Sequence, residues 1–520
     1  MKRIETDVAI IGAGPTGLSL ACQLVRYGVD FVIVEKNEGI TPYSKALGVH
    51  ARTLEIYEQL GLARTAVERG EIAKKFRLLE GGEVRAELPF EDIGKNLSPY
   101  PFMLILEQSK NEQLLYEYLQ SHDKDVLWST GLEGFSQDDE GVTVNIKTRE
   151  GEAEAIRAKY LVGCDGAKSP VRHMLGLSFE GSTFERMFYV ADAQVDWDLP
   201  HDALQVCLAR DVFTAFFPMK GEKRYRIVGT FPEGLEKDEN EVLYEEIEEQ
   251  IKREAQLQLE ISHVNWFSLY KVHTRRVNKF SEGRSFVAGD AAHIHSPAGA
   301  QGMNTGIQDV YNLAWKLALV IKERAGERLL ETYNEERLEN AQRLLETTDR
   351  MFELGAGSNW LVSFIRTTIF PTVAEYLIGF DAVKRAIFPL VSQIGINYRH
   401  GSLSDHSGDG EFEVRAGDRM PYFLIEGESV YDRLREPKFH LLLFSRGDGD
   451  YHKLCGELDG AYAPLLDCHQ VPLNSRVEEI FGTGRDFMLL LRPDNYIGFI
   501  SGDVRLSVLR EYLSGFAGLS

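Results

Sequence analysis

Cysteine is scarce and scattered in this 520-residue chain. No pair forms a Cys-x-x-Cys motif or belongs to a metal-ligand cluster, and the five positions are Cys22, Cys164, Cys207, Cys455 and Cys468. This distribution argues against a disulfide framework, a zinc site and thiol redox chemistry, so we expect no metal and no disulfide. A reducing compartment is the default for such cysteines, and the cytoplasm is therefore the expected location.

Long apolar runs and an excess of positive charge are also missing. No run of about 18 uncharged apolar residues occurs, and no signal-peptide pattern precedes the first strand, so no transmembrane segment is expected. The 58 Lys and Arg are outnumbered by 80 Asp and Glu, which gives a net charge of −22. Nucleic acids and anionic membranes bind basic surfaces, and this acidic balance argues against both as main partners.

A dinucleotide-binding fingerprint lies at the N-terminus. The apolar strand from Val8 leads into Gly12, Gly14 and Gly17, spaced as G-x-G-x-x-G, and a helix and a second strand ending at Glu35 follow. The first glycine permits a tight turn, the second lets a pyrophosphate approach the backbone, and the third packs the helix on the strand. The acid accepts hydrogen bonds from an adenosine ribose. The fingerprint alone does not distinguish FAD from NAD.

Two further strand ends carry an acid followed by small residues. In residues 283–316 a strand ends at Gly289-Asp290, and a loop of Ala, Gly, Ser and Pro leads into an amphipathic helix. Small residues before a helix N-terminus let a flat or anionic group approach the backbone. In residues 159–177 a strand ends at Asp165 within a D-G-x-x-S-x-x-R motif.

These stretches resemble the class A flavoprotein monooxygenases, the family of para-hydroxybenzoate hydroxylase, phenol hydroxylase and the polyketide aromatic hydroxylases. Residues 44–46 and 52–55 follow that family's S-R-A and R-T-x-E pattern, with Lys45 in place of its arginine. Residues 283–316 follow its G-D-A-A-H…G-x-Q-G-x-N…W-K pattern, and residues 106–115 resemble its Q-x-x-x-E-x-x-L stretch. The resemblance extends over essentially the whole chain.

The resemblance implies an α/β fold with a Rossmann-like FAD-binding domain of the GR2 type that is split in the sequence. Its two parts would span residues 1–180 and 278–398, with an antiparallel β-sheet substrate domain inserted at residues 181–277. Residues 399–520 would form a thioredoxin-like C-terminal domain without a Cys-x-x-Cys motif. Alternating, aromatic-rich segments within residues 204–272 support the inserted sheet.

The resemblance also implies how FAD would be held. Lys45 and Arg52 would neutralise the pyrophosphate, and Asp290 would hold the ribityl chain. Gln108 would contact the ribityl or adenosine side, and Pro297 would lie on the loop that flanks the isoalloxazine ring. The full expected cofactor-binding set is Gly12, Gly14, Gly17, Glu35, Lys45, Arg52, Gln108, Asp165, Gly166, Arg172, Gly289, Asp290, Pro297, Gly302, Met303 and Asn304.

The substrate side of the site is less defined. Phe213, Phe216 and Tyr225 are expected to line a pocket suited to a flat hydrophobic molecule. The acid that phenol hydroxylases carry between the two basic positions is absent, so no catalytic base is assigned and His50 is the candidate. His293 is interpreted as a residue that orders the flavin loop.

The implied activity is hydroxylation of an aromatic or polycyclic phenolic substrate by a monomer or homodimer. NADPH or NADH docks transiently and reduces bound FAD, and dioxygen then forms a flavin C4a-hydroperoxide that transfers an oxygen atom. Two alternatives stay open: an FAD-dependent reductase or dehydrogenase, and a non-catalytic flavin-binding protein. A flavin halogenase is disfavoured because the W-x-W-x-I-P segment of those enzymes is absent.

Overall fold

A mixed sheet, in which a run of neighbouring strands is parallel, carries the glycine fingerprint. The computed structural model describes residues 3–42, 44–208, 213–230, 244–256, 258–296, 300–356, 381–407, 411–447, 451–462 and 464–515. The first part of the chain forms β1 (Arg3–Ile11), α1 (Pro15–Tyr27), β2 (Phe31–Val34), β3 (Gly48–Val49), α2 (Ala51–Gln59), α3 (Ala63–Arg69), β4 (Glu71–Ala73), β5 (Lys75–Glu80), β6 (Glu83–Pro89), α4 (Phe90–Gly94), β7 (Met103–Ile105), α5 (Gln108–Gln120), β8 (Gly131–Gln137), β9 (Val142–Lys147), β10 (Ala153–Gly163) and α6 (Pro170–Met174).

β1 is the central strand of this sheet. It pairs in parallel with β2 on one side and with β10 on the other, and its residues Val8 to Ile11 are buried. A continuous apolar run is typical of a parallel strand covered on both faces. α1 begins at Pro15, whose fixed φ suits the first turn, and it ends at Gly28 in the left-handed conformation.

The middle of the chain supplies most of a second, largely antiparallel sheet. Its elements are β11 (Phe179–Asp196), β12 (Ala203–Leu208), β13 (Phe213–Pro218), β14 (Arg224–Thr230), α7 (Tyr244–Ala255) and β15 (Glu260–Val277). The chain then returns to the first sheet through β16 (Ser281–Glu282), β17 (Ser285–Val287), β18 (His293–Ile294), α8 (Gly302–Ile321), α9 (Arg328–Ala356) and α10 (Asp381–Val391).

The second sheet draws strands from both sides of residues 181–277. Its eight strands run in the order β18-β15-β11-β14-β13-β12-β5-β6, so β5, β6 and β18 come from outside that range. In the first sheet, β17 pairs in parallel with β10. The two sheets are therefore interleaved in the sequence, and the ends of β10 and β17 lie beside the glycine turn that follows β1. None of the described helices is long and apolar enough to cross a membrane.

The last part of the chain forms a third, mixed sheet. Its elements are β19 (Asp405–Ser407), β20 (Leu424–Ile425), β21 (Glu428–Ser429), β22 (Phe439–Ser445), α11 (His452–Tyr462), β23 (Leu466–Pro472), α12 (Ser475–Phe481), β24 (Phe487–Leu491), β25 (Ile497–Ser501) and α13 (Leu506–Gly515). The five strands of the sheet run in the order β19-β25-β24-β22-β23. All residues of β22 and β24 except Ser445 are buried.

One pair of cysteines corrects the expectation that the chain has no disulfide. Cys455 in α11 and Cys468 in β23 form a disulfide, with an S–S distance of 2.05 Å and a Cα–Cα distance of 5.6 Å. The helix packs on the following strand, and this tertiary contact brings together two residues that no short motif connects. The other three cysteines are buried and free.

A buried cluster of charges joins the third sheet to α8 and α9. Glu336 of α9 accepts hydrogen bonds from Arg492 at 3.1 Å and from Lys316 of α8 at 2.7 Å. Arg492, which follows β24, also donates to Asp494 at 2.6 Å. All four side chains are excluded from solvent. Burial alone would raise the pKa of Glu336, but Arg492 and Lys316 lower it to about 2, so Glu336 is ionised at neutral pH.

Replacing Arg492 with methionine is expected to destabilise the protein by about 3–5 kcal/mol, because the buried carboxylates of Glu336 and Asp494 lose the guanidinium that binds both of them. Thermal and urea unfolding of the purified variant measure this loss. Arg505→Met is the matched control, since that arginine pairs with Asp503 at an exposed position and should change stability by less than about 0.5 kcal/mol. Equal stability of the two variants would contradict the assigned role.

Candidate active site

The fingerprint glycines form a turn that is packed on its inside and open on its outside. Gly12 has a φ of 101°, and a Cβ there would lie 2.4 Å from the carbonyl oxygen of Cys164. A Cβ on Gly17 would lie 1.9 Å from the carbonyl oxygen of Gly12. Gly14 caps α1, and no atom lies within 4 Å of its Cβ position. The turn therefore presents the positive end of α1 to an accessible space, which suits an anion.

Glu35 lies beside this turn, at the end of β2. One carboxylate oxygen accepts from the Ala13 N–H at 2.9 Å, and the other accepts from the backbone and side chain of Asn37 at 3.0 and 2.6 Å. The acid of the fingerprint is thus held next to the glycine turn by backbone contacts, as its sequence position predicts.

A second carboxylate, Glu112 of α5, lies close to Glu35 and received no functional role from the sequence. It accepts from the Thr41 N–H at 3.2 Å and from the Gln108 side chain at 2.8 Å. Burial, with a smaller contribution from Glu35, raises the pKa of Glu112 to about 7. The signal that the sequence offered for the pair of Glu35 and Glu112 is the acid four residues after Gln108.

The loop before β3 brings Lys45 and Gln108 together. The Gln108 side chain accepts from the Ala46 N–H at 3.1 Å, and its own backbone N–H donates to the Ala46 carbonyl at 3.0 Å. Lys45 is exposed, and its positive charge is close enough to Asp290 to act to lower the pKa of that carboxyl. Lys45 and Asp290, from the first and last motifs, therefore lie near one another, and we call the exposed space beside these two side chains the Asp290 recess.

Asp290 lies within this recess. Its side chain is accessible to solvent, yet the surrounding protein raises the pKa of its carboxyl against the opposing effect of His293 and Lys45. Gly289, with a φ of 60°, places β17 so close to α1 that a Cβ would lie 2.5 Å from the Thr16 hydroxyl. Asp290 is thus an accessible acid deep in the molecule, close to the glycine turn.

His293 orders the loop after β17, which agrees with its interpretation from the sequence. Its Nε2 donates to Asp309 of α8 at 2.7 Å, and the same carboxylate oxygen accepts the Gly289 N–H at 2.9 Å. Arg337 of α9 donates to the other oxygen at 2.7 Å. Asp309 therefore fixes the backbone from which Asp290 projects. Pro297 lies outside the described residues.

Asn304 and His50 are joined to each other at the start of α8. Asn304 Oδ1 accepts from the His50 N–H at 2.9 Å and the Thr53 hydroxyl at 2.7 Å. Its Nδ2 donates to the carbonyls of Gly48 at 2.9 Å and Ala300 at 3.0 Å. All four hydrogen-bonding positions of the amide are used within the protein, and the cofactor contact expected for Asn304 stays a prediction. The His50 ring bonds the Ala300 carbonyl at 3.1 Å, and its candidacy as a base stays a prediction.

Arg52 requires the largest correction among the cationic residues. It is fully buried, donates to Glu55 at 3.1 Å and donates to the Asp494 carbonyl at 2.8 Å. These contacts join α2 to the loop after β24, and its charge is already paired. Its placement in the pyrophosphate set is therefore corrected to a structural role, which a pattern of local spacing could not reveal.

Other predicted residues support the site from within the protein. Asp165 accepts from the Ser169 hydroxyl at 2.5 Å beside Gly166, which has a φ of 82°. Arg172 donates to the Ala291 carbonyl at 3.0 Å, and it thereby ties this strand end to the loop that carries Asp290. Gly302 begins α8, and Met303 behind it is buried with its sulfur 3.5 Å from the Asn111 amide.

The aromatic wall differs from its prediction because side chains alternate along a strand. Phe216 and Tyr225 are buried against Trp197 and the apolar face of α7, on the outer side of the second sheet. Phe217 points the opposite way and packs with residues of β4 and β7 against the first part of the chain. Phe213 lies on the same face as Phe217 by its spacing. Phe216 and Tyr225 are therefore core residues. The residue one position further along the strand, such as Phe217, points to the inner face of the sheet.

Comparison with known proteins places these features in context. A family model described as an FAD binding domain matches residues 5–348. A flavin-dependent monooxygenase of Mycobacteroides abscessus is 33% identical over 98% of this chain and 99% of its own length. The 6-methylpretetramide 4-monooxygenase of Streptomyces rimosus is 33% identical over 85% of this chain and 80% of its own. The solved structure of OxyS anhydrotetracycline hydroxylase from Streptomyces rimosus has a TM-score of 0.78 at 27% identity, covering 99% of both chains.

Replacing Glu112 with glutamine is expected to stabilise the protein at alkaline pH only. The pKa of about 7 in the folded state lies above an unfolded value of about 4.3, so the folded carboxyl keeps a proton that the unfolded one loses. Stability therefore falls as pH rises through this window, by on the order of 1–3 kcal/mol in total. Glutamine cannot ionise and removes that loss.

Thermal midpoints of the ligand-free protein at about pH 5 and about pH 8 check this pH dependence. Glu117→Gln is the matched control, because Glu117 is a half-exposed acid of the same helix with a lowered pKa. The expected pattern is a gain for Glu112→Gln at the higher pH and none for Glu117→Gln. A gain of equal size at both pH values would contradict the raised pKa.

Proposed function

The chain belongs to the FAD-binding-domain family of flavin-dependent aromatic monooxygenases, and on that premise we propose that its substrate is a polycyclic phenol. It is an FAD-dependent monooxygenase, with NADPH or NADH as the electron donor typical of the class. Two of its relatives are named for polycyclic substrates, 6-methylpretetramide and anhydrotetracycline. The observation that carries the proposal is the aromatic inner face of the second sheet, which lies against the elements that surround the Asp290 recess.

The residues present fit FAD at three points. The open side of Gly14 suits a pyrophosphate, Glu35 suits the adenosine ribose, and Asp290 suits the hydroxyls of the ribityl chain. Lys45 is the exposed cation of the recess and would neutralise phosphate charge. When bound, FAD supplies the redox chemistry by which dioxygen is activated and one oxygen atom enters the substrate.

The protein's own contribution is orientation, charge and exclusion of water. α8 has 20 residues, and its positive end stabilises negative charge that lies next to Gly302. Asn304 and His50 hold that helix end against β3. Apolar side chains at the junction of the two sheets, among them Leu47, Met103 and Phe217, keep water from the space between them.

We further propose that the domain boundaries follow the sheets. Residues 1–180 and 278–398, without β5, β6 and β18, form the FAD-binding domain, and residues 181–277 together with those three strands form the substrate domain. Residues 399–520 are proposed to be a thioredoxin-like domain, which the mixed five-stranded sheet with flanking helices supports. Its disulfide is not a Cys-x-x-Cys pair, and a packing role is proposed for this domain.

The function is tested with the FAD-loaded enzyme and a panel of monocyclic and polycyclic phenols. NADPH and NADH are offered separately under labelled dioxygen. The expected result is phenol-stimulated oxidation of one nucleotide and incorporation of a single labelled oxygen atom into a polycyclic phenol. Substrate turnover without label would establish the reductase alternative, and absence of any stimulation would favour the non-catalytic one.

Asp290→Ala is expected to weaken FAD binding by about tenfold or more, because it removes hydrogen bonds made by a charged acceptor. The FAD dissociation constant is measured by fluorescence titration of the apoprotein. Asp138→Ala, at an exposed ion pair of the β8–β9 hairpin, is the matched control and should leave FAD affinity unchanged. An unaltered dissociation constant for Asp290→Ala would exclude it from the cofactor site.

A further inference from the structure

Arg226 of β14 has one nitrogen that no described protein atom satisfies. Its Nε and Nη2 donate to the two oxygens of Asp192 at 2.7 and 2.8 Å, so the carboxylate occupies one edge of the guanidinium. The ring of Trp266 lies 5.1 Å from the guanidinium carbon. Nη1 is buried without a hydrogen-bond partner among the described residues, and only 3% of the side chain is exposed. A buried charged donor left unpaired is costly, so this nitrogen calls for a partner beyond the described residues.

The unpaired nitrogen lies on the inner face of the second sheet. Arg224, two residues earlier and on the same face, reaches Glu107 at the start of α5 with a distance of 3.4 Å. Phe217 is the neighbour of Arg226 in register on β13, and it belongs to the same apolar cluster as Leu47, which precedes β3. Both neighbours therefore face the first part of the chain. Arg226 lies between Arg224 and the middle of β14, on the side proposed to hold the substrate.

We propose that Nη1 of Arg226 binds a carbonyl oxygen of the substrate, and that the substrate is therefore a fused-ring phenol that also carries a ketone or quinone carbonyl. This inference rests on the proposed function and narrows its substrate class. Arg226 acts as a binding and orienting residue, since it holds one end of the ring system while another part faces the Asp290 recess.

Asp192 decides which kind of oxygen fits. Its carboxylate neutralises the guanidinium, so the pair carries no net charge and offers no attraction for a second full negative charge. A substrate carboxylate would also be repelled by Asp192. A carbonyl oxygen needs only the N–H donors that Nη1 still has, and the flat faces of Phe217 and Trp266 suit the fused rings around it.

The test uses a pair of ligands that differ only in the carbonyl: a hydroxytetralone and the tetrahydronaphthol that lacks the ketone. Their dissociation constants for the FAD-loaded enzyme are measured by the change in flavin absorbance, without NADPH. The wild-type enzyme is expected to bind the ketone about tenfold more tightly. The measurement needs no turnover, so it is independent of the labelled-oxygen test of the proposed function.

The variant that tests the residue is the double change Arg226→Met with Asp192→Asn, which leaves no unpaired carboxylate. It is expected to bind the two ligands equally. Arg226→Lys keeps the charge but loses the planar fork, and it should retain a preference of less than about threefold. It carries the test if the double variant does not fold.

The matched control is Arg77→Met. Arg77 lies in the same sheet, pairs with Glu87 and Asp202, and also has an Nη1 without a partner among the described residues. Its register partner Gln205 is itself opposite Phe216, so Arg77 lies on the outer face with α7. This variant is expected to keep the full preference for the ketone.

Two results would overturn the inference. The first is equal or undetectable binding of both ligands by the wild-type enzyme, which is also the result expected if a water molecule alone satisfies Nη1. The second is a preference that persists in the double variant or disappears in Arg77→Met. A ketone preference confined to enzymes with Arg226 supports the proposed substrate class.

Discussion

The buried cluster of charges around Glu336 is the constraint on which the rest of the structure depends. Glu336, Lys316, Arg492 and Asp494 are all withdrawn from water, and charges in that setting are tolerated only when every partner is present. The partners come from α8, α9 and the loop after β24. The cluster therefore fixes the third sheet against the two long helices, and it fixes those helices against each other.

The same helix carries this constraint to the candidate site. On α8, Lys316 and Asn312 belong to the Glu336 cluster, and Asp309, one turn earlier, binds His293, Arg337 and the Gly289 N–H. These polar residues recur every three or four positions and form one buried stripe. The stripe leads to Gly302, where the helix begins beside the recess. Lys316, more than ten positions from Gly302, thus helps to determine where the positive N-terminal end of α8 lies.

What the sequence predicts well is whatever is encoded by local spacing. The glycines of the turn, the acids at the strand ends and the alternating strands of the inserted sheet follow from patterns within about ten residues. The partner of a buried charge is not encoded in this way. Arg52 has the spacing of a phosphate ligand, but its contact with Asp494 depends on a segment 442 positions away. The disulfide between Cys455 and Cys468 depends in the same manner on how α11 packs.

The face of a strand is the second property that the sequence leaves undecided. Phe216 and Tyr225 attracted attention because they are aromatic, yet aromatic residues pack equally well in a core, and both lie against α7. A better signal in the same sheet was Arg226, because a cation in an apolar strand must find a partner on one face. Its carboxylate partner satisfies only one edge of the guanidinium. The other end of the proposed site is Asp290, near the N-terminus of α8. Arg226 is fixed in the sheet, and as a hydrogen-bond donor it would set which carbon of a rigid ring system lies at the reacting position. Regiochemistry would then depend on the distance between two polar groups, and the aromatic wall would only keep the rings flat.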